Sequence, residues 1–112
     1  MKRRGDPDVN RILRALSVEK RQEIVRLLAG RPLCVGALSR FLGVSAGAVS
    51  QHLRILRDAG LVEPDRRGCF IHYSLAPDAA ERCRAAVESL FAPKKGGRKC
   101  PAEKRSAKGR KS

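Results

Sequence analysis

The twenty residues from Phe41 to Gly60, FLGVSAGAVSQHLRILRDAG, constrain this chain more than any other stretch, because they hold a turn, a helix start and a helix stop in one run. Ser45 is placed to cap the free amides of a helix beginning at Ala46, and Gly60 supplies a residue suited to the left-handed conformation that ends it. A helix of about four turns is thus bracketed by its own punctuation. Val49, Leu53 and Leu56 recur at i, i+4 and i+7, which gathers them on one buried stripe. At about 100° per residue, Gly47, Gln51 and Arg54 fall opposite that stripe, Ser50 lies at its edge and His52 sits between the faces. A small, polar face carrying one arginine suits the edges of base pairs in a major groove.

The flanking sequence supplies a setting for that helix. Val9, Ile12, Leu13 and Leu16 mark a first helix from Asp8; Ser17 reads as the cap of a second, which turns Ile24, Val25, Leu27 and Leu28 inward and stops at Gly30. Leu33-Cys34-Val35 is a short extended piece, and a third helix through Leu38 and Phe41-Leu42 ends at Gly43. With the Ser45 helix it makes a helix-turn-helix. Beyond Gly60, Leu61 to Pro64 is extended, Asp65-Arg66-Arg67-Gly68 is a turn sequence, and Cys69 to Leu75 alternates, with Ile71, Tyr73 and Leu75 on one face. These pieces predict a β-hairpin with Arg66 and Arg67 at its tip. Pro77 in the first turn and Asp78 beside it open a last helix with Ala79, Cys83, Ala86, Val87 and Leu90 along one seam.

The fold class is therefore mainly α with a small β-hairpin: a winged helix-turn-helix over residues 8–92, after a flexible basic lead at 1–7 and before a disordered basic tail at 93–112. The first and last helices both carry apolar stripes, more than 112 residues readily cover, which predicts a homodimer built from them.

Charge names the partner class. The formal net charge is +14 and the pI about 10.9, so a polyanion is the default partner. The tail holds nine cationic side chains against Glu103 alone, a surplus of 8, and residues 1–92 carry the remaining +6. The DNA reading thus stands without the tail. Double-stranded operator DNA is the expected partner; the alternative is a non-specific nucleic-acid-binding or architectural protein driven by its basic tail. Gly5 to Asp8 interrupt any leader-like start, and no apolar run reaches the length of a membrane span. A cytoplasmic, nucleoid-associated protein with no membrane partner is expected. Enzymatic chemistry finds no footing: the two histidines, His52 and His72, lie on different elements, and there is no phosphate loop or nucleophile motif.

Leu33 to Leu38, the run Val44 to Val62, Arg67-Gly68 and Ile71-His72-Tyr73-Ser74-Leu75 together resemble the ArsR/SmtB family of bacterial winged-helix regulators, over about Val9 to Phe91. The resemblance implies a homodimeric transcriptional repressor that leaves its operator when an effector binds: a metal ion or arsenite in many members, reactive sulfur or another signal in others. It points to Ser45, Ala46, Gly47, Ser50, Gln51, His52 and Arg54 on the reading helix, with Arg66 and Arg67 on the wing, as the DNA-binding residues. His52 has a supporting role, in packing or phosphate contact.

Departures from the family pattern bear on the effector. Soft-metal members resemble Leu-Cys-Val-Cys-Asp-Leu at this site, whereas Gly36 and Ala37 replace the second cysteine and the acid, and a single thiolate does not make a two- or three-sulfur site. The zinc pattern of the last helix keeps Asp78 but has Ala80, Phe91 and Lys94 at its other places. No resident cofactor is expected, and the metal question stays open beside a sulfur-species effector. The four cysteines form no CxxC pair and read as free thiols. Cys34 occupies the family's sensor position, and the resemblance offers Cys83 or Cys100 as its partner. Cys83 also fits a small buried hydrophobe, and Cys69 has no assigned role.

Overall fold

The computed structural model describes residues 8–67 and 70–93. The basic lead, the wing tip Gly68-Cys69 and the tail from Lys94, with the expectations placed on them, lie outside the described residues.

Five helices and a three-stranded antiparallel sheet follow in the order α1 (Val9–Leu16), α2 (Glu19–Gly30), β1 (Leu33–Cys34), α3 (Val35–Leu42), α4 (Ala46–Asp58), β2 (Val62–Arg67), β3 (Phe70–Leu75) and α5 (Ala79–Phe91). The sheet order is β1-β3-β2. This is the winged helix-turn-helix architecture, with one strand more than the hairpin alone provides. The short extended piece at Leu33-Cys34 pairs across the hairpin, Leu33 with Tyr73 and Cys34 with His72, and pins the wing's base to the helical body.

The hairpin is also longer than its sequence implies. Asp65, Arg66 and Arg67 do not form the turn; they continue β2 in register with His72, Ile71 and Phe70. Cross-strand pairing overrides the turn preference of Asp65 because each extra residue closes further ladder bonds.

Ser17 has a different task from the expected one. It ends α1, its hydroxyl donating to the Arg14 carbonyl at 2.8 Å, while Val18 is the N-cap of α2 and provides no side-chain bond. Only Ser17 and Val18 separate the two helices, so the hydroxyl is taken by the carbonyls of the helix behind it. α2 does end at Gly30, but the chain leaves through an extended Arg31 (φ −176°). Pro77 and Asp78 form a turn ahead of α5 and are not part of its first helical turn.

The core lies where α4 meets α1, α2 and α3. Ile12, Ile24, Leu38, Val49, Leu53, Leu56 and Leu61 are its largest fully buried side chains. Three of them are the α4 stripe, so the reading helix is held from behind by about 1.5–3 kcal/mol per side chain of transfer free energy. Its ends are fixed as locally as its stripe. Ser45 Oγ accepts from the Ala48 amide at 3.1 Å, and at the other end the Gly60 and Leu61 amides return to the Arg57 and Leu56 carbonyls at 2.8 and 3.0 Å. That pair of bonds requires a left-handed residue, and Gly60 provides it at φ 78°. Gly43, at φ 68°, does the same between α3 and α4.

Candidate nucleic-acid interface

Ser45, Ala46, Gly47, Ser50, Gln51 and Arg54 are all exposed on α4 and its cap. Gly47, Ser50, Gln51 and Arg54 line one side of an open groove of about 660 Å³, and Leu53, Arg57, Asp58 and Tyr73 line the rest. The groove therefore runs between the reading helix and the sheet, and α4 presents its polar face to it. Gly47 keeps the helix surface low at the groove: a Cβ there would meet only Ser45 Oγ, at 3.9 Å. Arg66 is exposed on β2, and Arg67 is its neighbour on the same strand. Among the described residues, Arg54, Arg57 and Arg66 form no ion pair.

His52 stands apart from this surface. It is half-buried, and its Nδ1 lies 3.3 Å from Arg21 Nη1. Burial lowers its pKa below the ordinary imidazole value and the Arg21 charge adds to the effect, so the ring accepts from the guanidinium and stays neutral. Its place is to anchor α4 from the side, in keeping with a supporting role.

Arg21 is the residue that sequence reasoning missed. It is buried, 8% exposed, and besides His52 it donates from Nε to the Ala15 carbonyl at 2.8 Å and from Nη2 to the Arg14 carbonyl at 3.0 Å. One guanidinium thus satisfies the C-terminal carbonyls of α1 and grips α4, which fixes the pose of the reading helix against the first two helices. A charged residue on a mixed helix gives no local sign of that burial. Arg57 and Tyr73 were missed as well: Arg57 reads as a last-turn charge and Tyr73 as a strand residue, and only the fold brings them to one groove.

Comparison with known proteins decides the class. Residues 18–64 match the model of the bacterial regulatory protein, arsR family. The chain is 37% identical over 83 residues to the HTH-type transcriptional regulator YgaV of Escherichia coli (strain K12), covering 73% of this chain and 84% of that protein. The chain belongs to the arsR family. This arsR-family protein is also 34% identical over 67 residues to the transcriptional repressor SdpR of Bacillus subtilis (strain 168), covering 60% of this chain and 74% of that one. Among solved structures, it superposes with a TM-score of 0.63 and 31% identity on the homodimeric winged helix-turn-helix DNA-binding domain of Mb0332 from Mycobacterium bovis, covering 74% of this chain and 77% of that chain. It is a DNA-binding transcriptional regulator and not an enzyme.

Within this arsR-family protein the expected effector positions are separate. Cys34 is half-buried at the N-cap of α3 and Cys83 is half-buried on α5, both as free thiols. Burial raises the Cys83 thiol pKa, against a smaller lowering by Arg82. Cys69 and Cys100 lie outside the described residues. Neither metal arrangement of the family fits these side chains. Cys34 Sγ and an Arg40 guanidinium nitrogen both lie 3.9 Å from where a Gly36 Cβ would be, so a cation stands where a second ligand would. Asp78 is taken by Arg82 at 3.4 Å. Among the described residues no three of His, Cys, Asp and Glu gather as a metal-holding group, and no helix is long and apolar enough to cross a membrane.

Proposed function

We propose that the chain is a sequence-specific repressor that grips a palindromic operator as a homodimer, one α4 in each of two successive major grooves, and is released when an effector alters Cys34. The observation that carries this reading is the groove-lining face of α4. Gly47, Ser50, Gln51 and Arg54 are exposed together beside a wing bearing Arg66, while Val49, Leu53 and Leu56 behind them are buried. Gln51 and Arg54 read base edges, Ser45, Ala46, Gly47 and Ser50 allow close approach, and Arg66 and Arg67 hold the backbone from the wing. Twofold pairing is supported by Leu13 on α1 and Val87, Leu90 and Phe91 on α5, which are 36%, 44%, 57% and 81% exposed on packed neighbouring helices. Half-sites then lie roughly 10 bp apart, centre to centre.

The test is binding anisotropy with the chain's own upstream DNA and with random duplexes. Preference for the palindrome is expected; equal affinity for both overturns the reading in favour of a non-specific binder driven by charge. Removing residues 93–112 should leave the preference intact with a shallower salt slope. Repeating the titration with a persulfide donor, with Cys34→Ser as control, tests the effector: release of the wild type and retention of the variant are expected.

A further inference from the structure

A second hollow of about 260 Å³ opens beside the α4 groove, lined by Arg57, Pro64, Arg66, Ile71 and Tyr73. Arg57 and Tyr73 line both cavities, so they form the ridge between the reading surface and the wing. The smaller hollow holds two arginines from different elements, a phenol and no acidic residue. Asp58 lies only on the larger side. Arg57 and Arg66 are exposed and, among the described residues, unpaired. Tyr73 is half-buried between Leu33 and Pro64 in the ladder, so its ring is held in place while its hydroxyl remains an available donor.

We infer that Arg57, Arg66 and Tyr73 form a seat for one backbone phosphate of the bound DNA, and that this contact fixes how deeply α4 sits in the major groove. Two guanidinium forks and a hydroxyl suit a phosphodiester, which accepts several charge-assisted hydrogen bonds at once. The strand is the occupant because the hollow shares its ridge with the surface that reads base edges. The seat therefore meets the backbone bordering the groove that α4 enters. Arg57 is a positioning residue in this scheme: it carries no base preference of its own, and it holds α4 at the same depth on any duplex.

This inference rests on the operator-binding reading, and the experiment separates the two. Arg57→Gln, at an exposed site, should weaken operator and random duplexes by a similar factor, about ten-fold, and reduce the slope of log K against log salt by about 1. Arg57→Lys should restore the slope but only part of the affinity, because the charge returns without the fork. Tyr73→Phe should weaken both duplexes and leave the slope unchanged. Methylphosphonate linkages, which remove one phosphate charge at a time, should reveal one position per half-site where the wild type loses affinity and Arg57→Gln loses clearly less, the remainder being the Arg66 contact. If the wild type prefers its operator but Arg57→Gln binds normally, or changes base preference at an unchanged salt slope, the phosphate seat is wrong and the repressor reading stands. If the wild type shows no preference, the repressor reading fails, and the methylphosphonate scan alone judges the seat.

Discussion

Two surfaces of this protein use the same residue type in opposite ways. On the outer helices three arginines are paired with an acid of the same helix or its cap: Arg11 with Asp8 at 3.3 Å, Arg82 with Asp78 at 3.4 Å and Arg84 with Glu81 at 3.0 Å. Large apolar side chains are left without cover there: Leu13, Val87, Leu90 and Phe91. On α4 the apolar stripe is buried, and the arginines Arg54, Arg57 and Arg66 form no ion pair among the described residues. Unpaired arginines occur elsewhere, but these three converge on one groove and its neighbouring hollow. One surface lacks apolar cover and the other lacks anions. On the proposed reading, a second copy of the chain completes the first and a phosphate backbone the second.

That contrast can be broken in order of expected effect. Val87→Glu with Leu90→Glu, both at exposed sites, should yield a folded monomer by sedimentation and reduce operator affinity by roughly 10²- to 10⁴-fold through lost bivalency; an unchanged dimer would place the seam elsewhere. Arg21→Met leaves the Ala15 and Arg14 carbonyls without their donor and should cost about 2–3 kcal/mol in denaturant unfolding. Gln51→Ala should remove about 1–3 kcal/mol from operator binding, measured by anisotropy, and nothing from random duplexes. Gly60→Ala forces a side chain into the left-handed region, with its Cβ 3.2 Å from Arg82 Cζ, and should lower stability by about 1–2 kcal/mol by thermal unfolding.

The smallest effect is in the pH profile. The His52 pKa is held below its ordinary 6.5, so the unfolded chain takes up a proton where the folded chain does not. Stability is unaffected by this group above that value and declines as the pH falls through it. Thermal unfolding at about pH 7.5 and about pH 5.5 should show a decline that His52→Gln reduces.

How much of this the sequence reveals depends on distance along the chain. The Ser45 cap, the Val49-Leu53-Leu56 stripe and the stops at Gly43 and Gly60 are all readable because their causes act within about four residues. Leu33-Cys34 as a third strand, and Arg66 as a strand residue and not a turn residue, depend on pairing with β3, which no local rule supplies. Ser17 was misread for a related reason. A serine between two helices has a carbonyl behind it and amides ahead of it, and the two-residue junction decides in favour of the carbonyl. The α4 side of the groove was legible as a face of one helix. Arg57 and Tyr73 joined it only because the chain folds back, and Arg21 remained hidden because its acceptors belong to α1.

The corner at Gly60 has a mechanical consequence. β2 begins at Val62, four residues beyond the end of α4, and the Leu61 carbonyl accepts from the Ala76 amide at 2.9 Å where the chain comes back out of the wing. Reading helix and wing are thus joined as a single yoke with no slack between them. On the proposed homodimer reading, a signal received at Cys34 would loosen the grip on DNA by tilting the whole yoke relative to its twin, and not by moving the fingers that touch the bases.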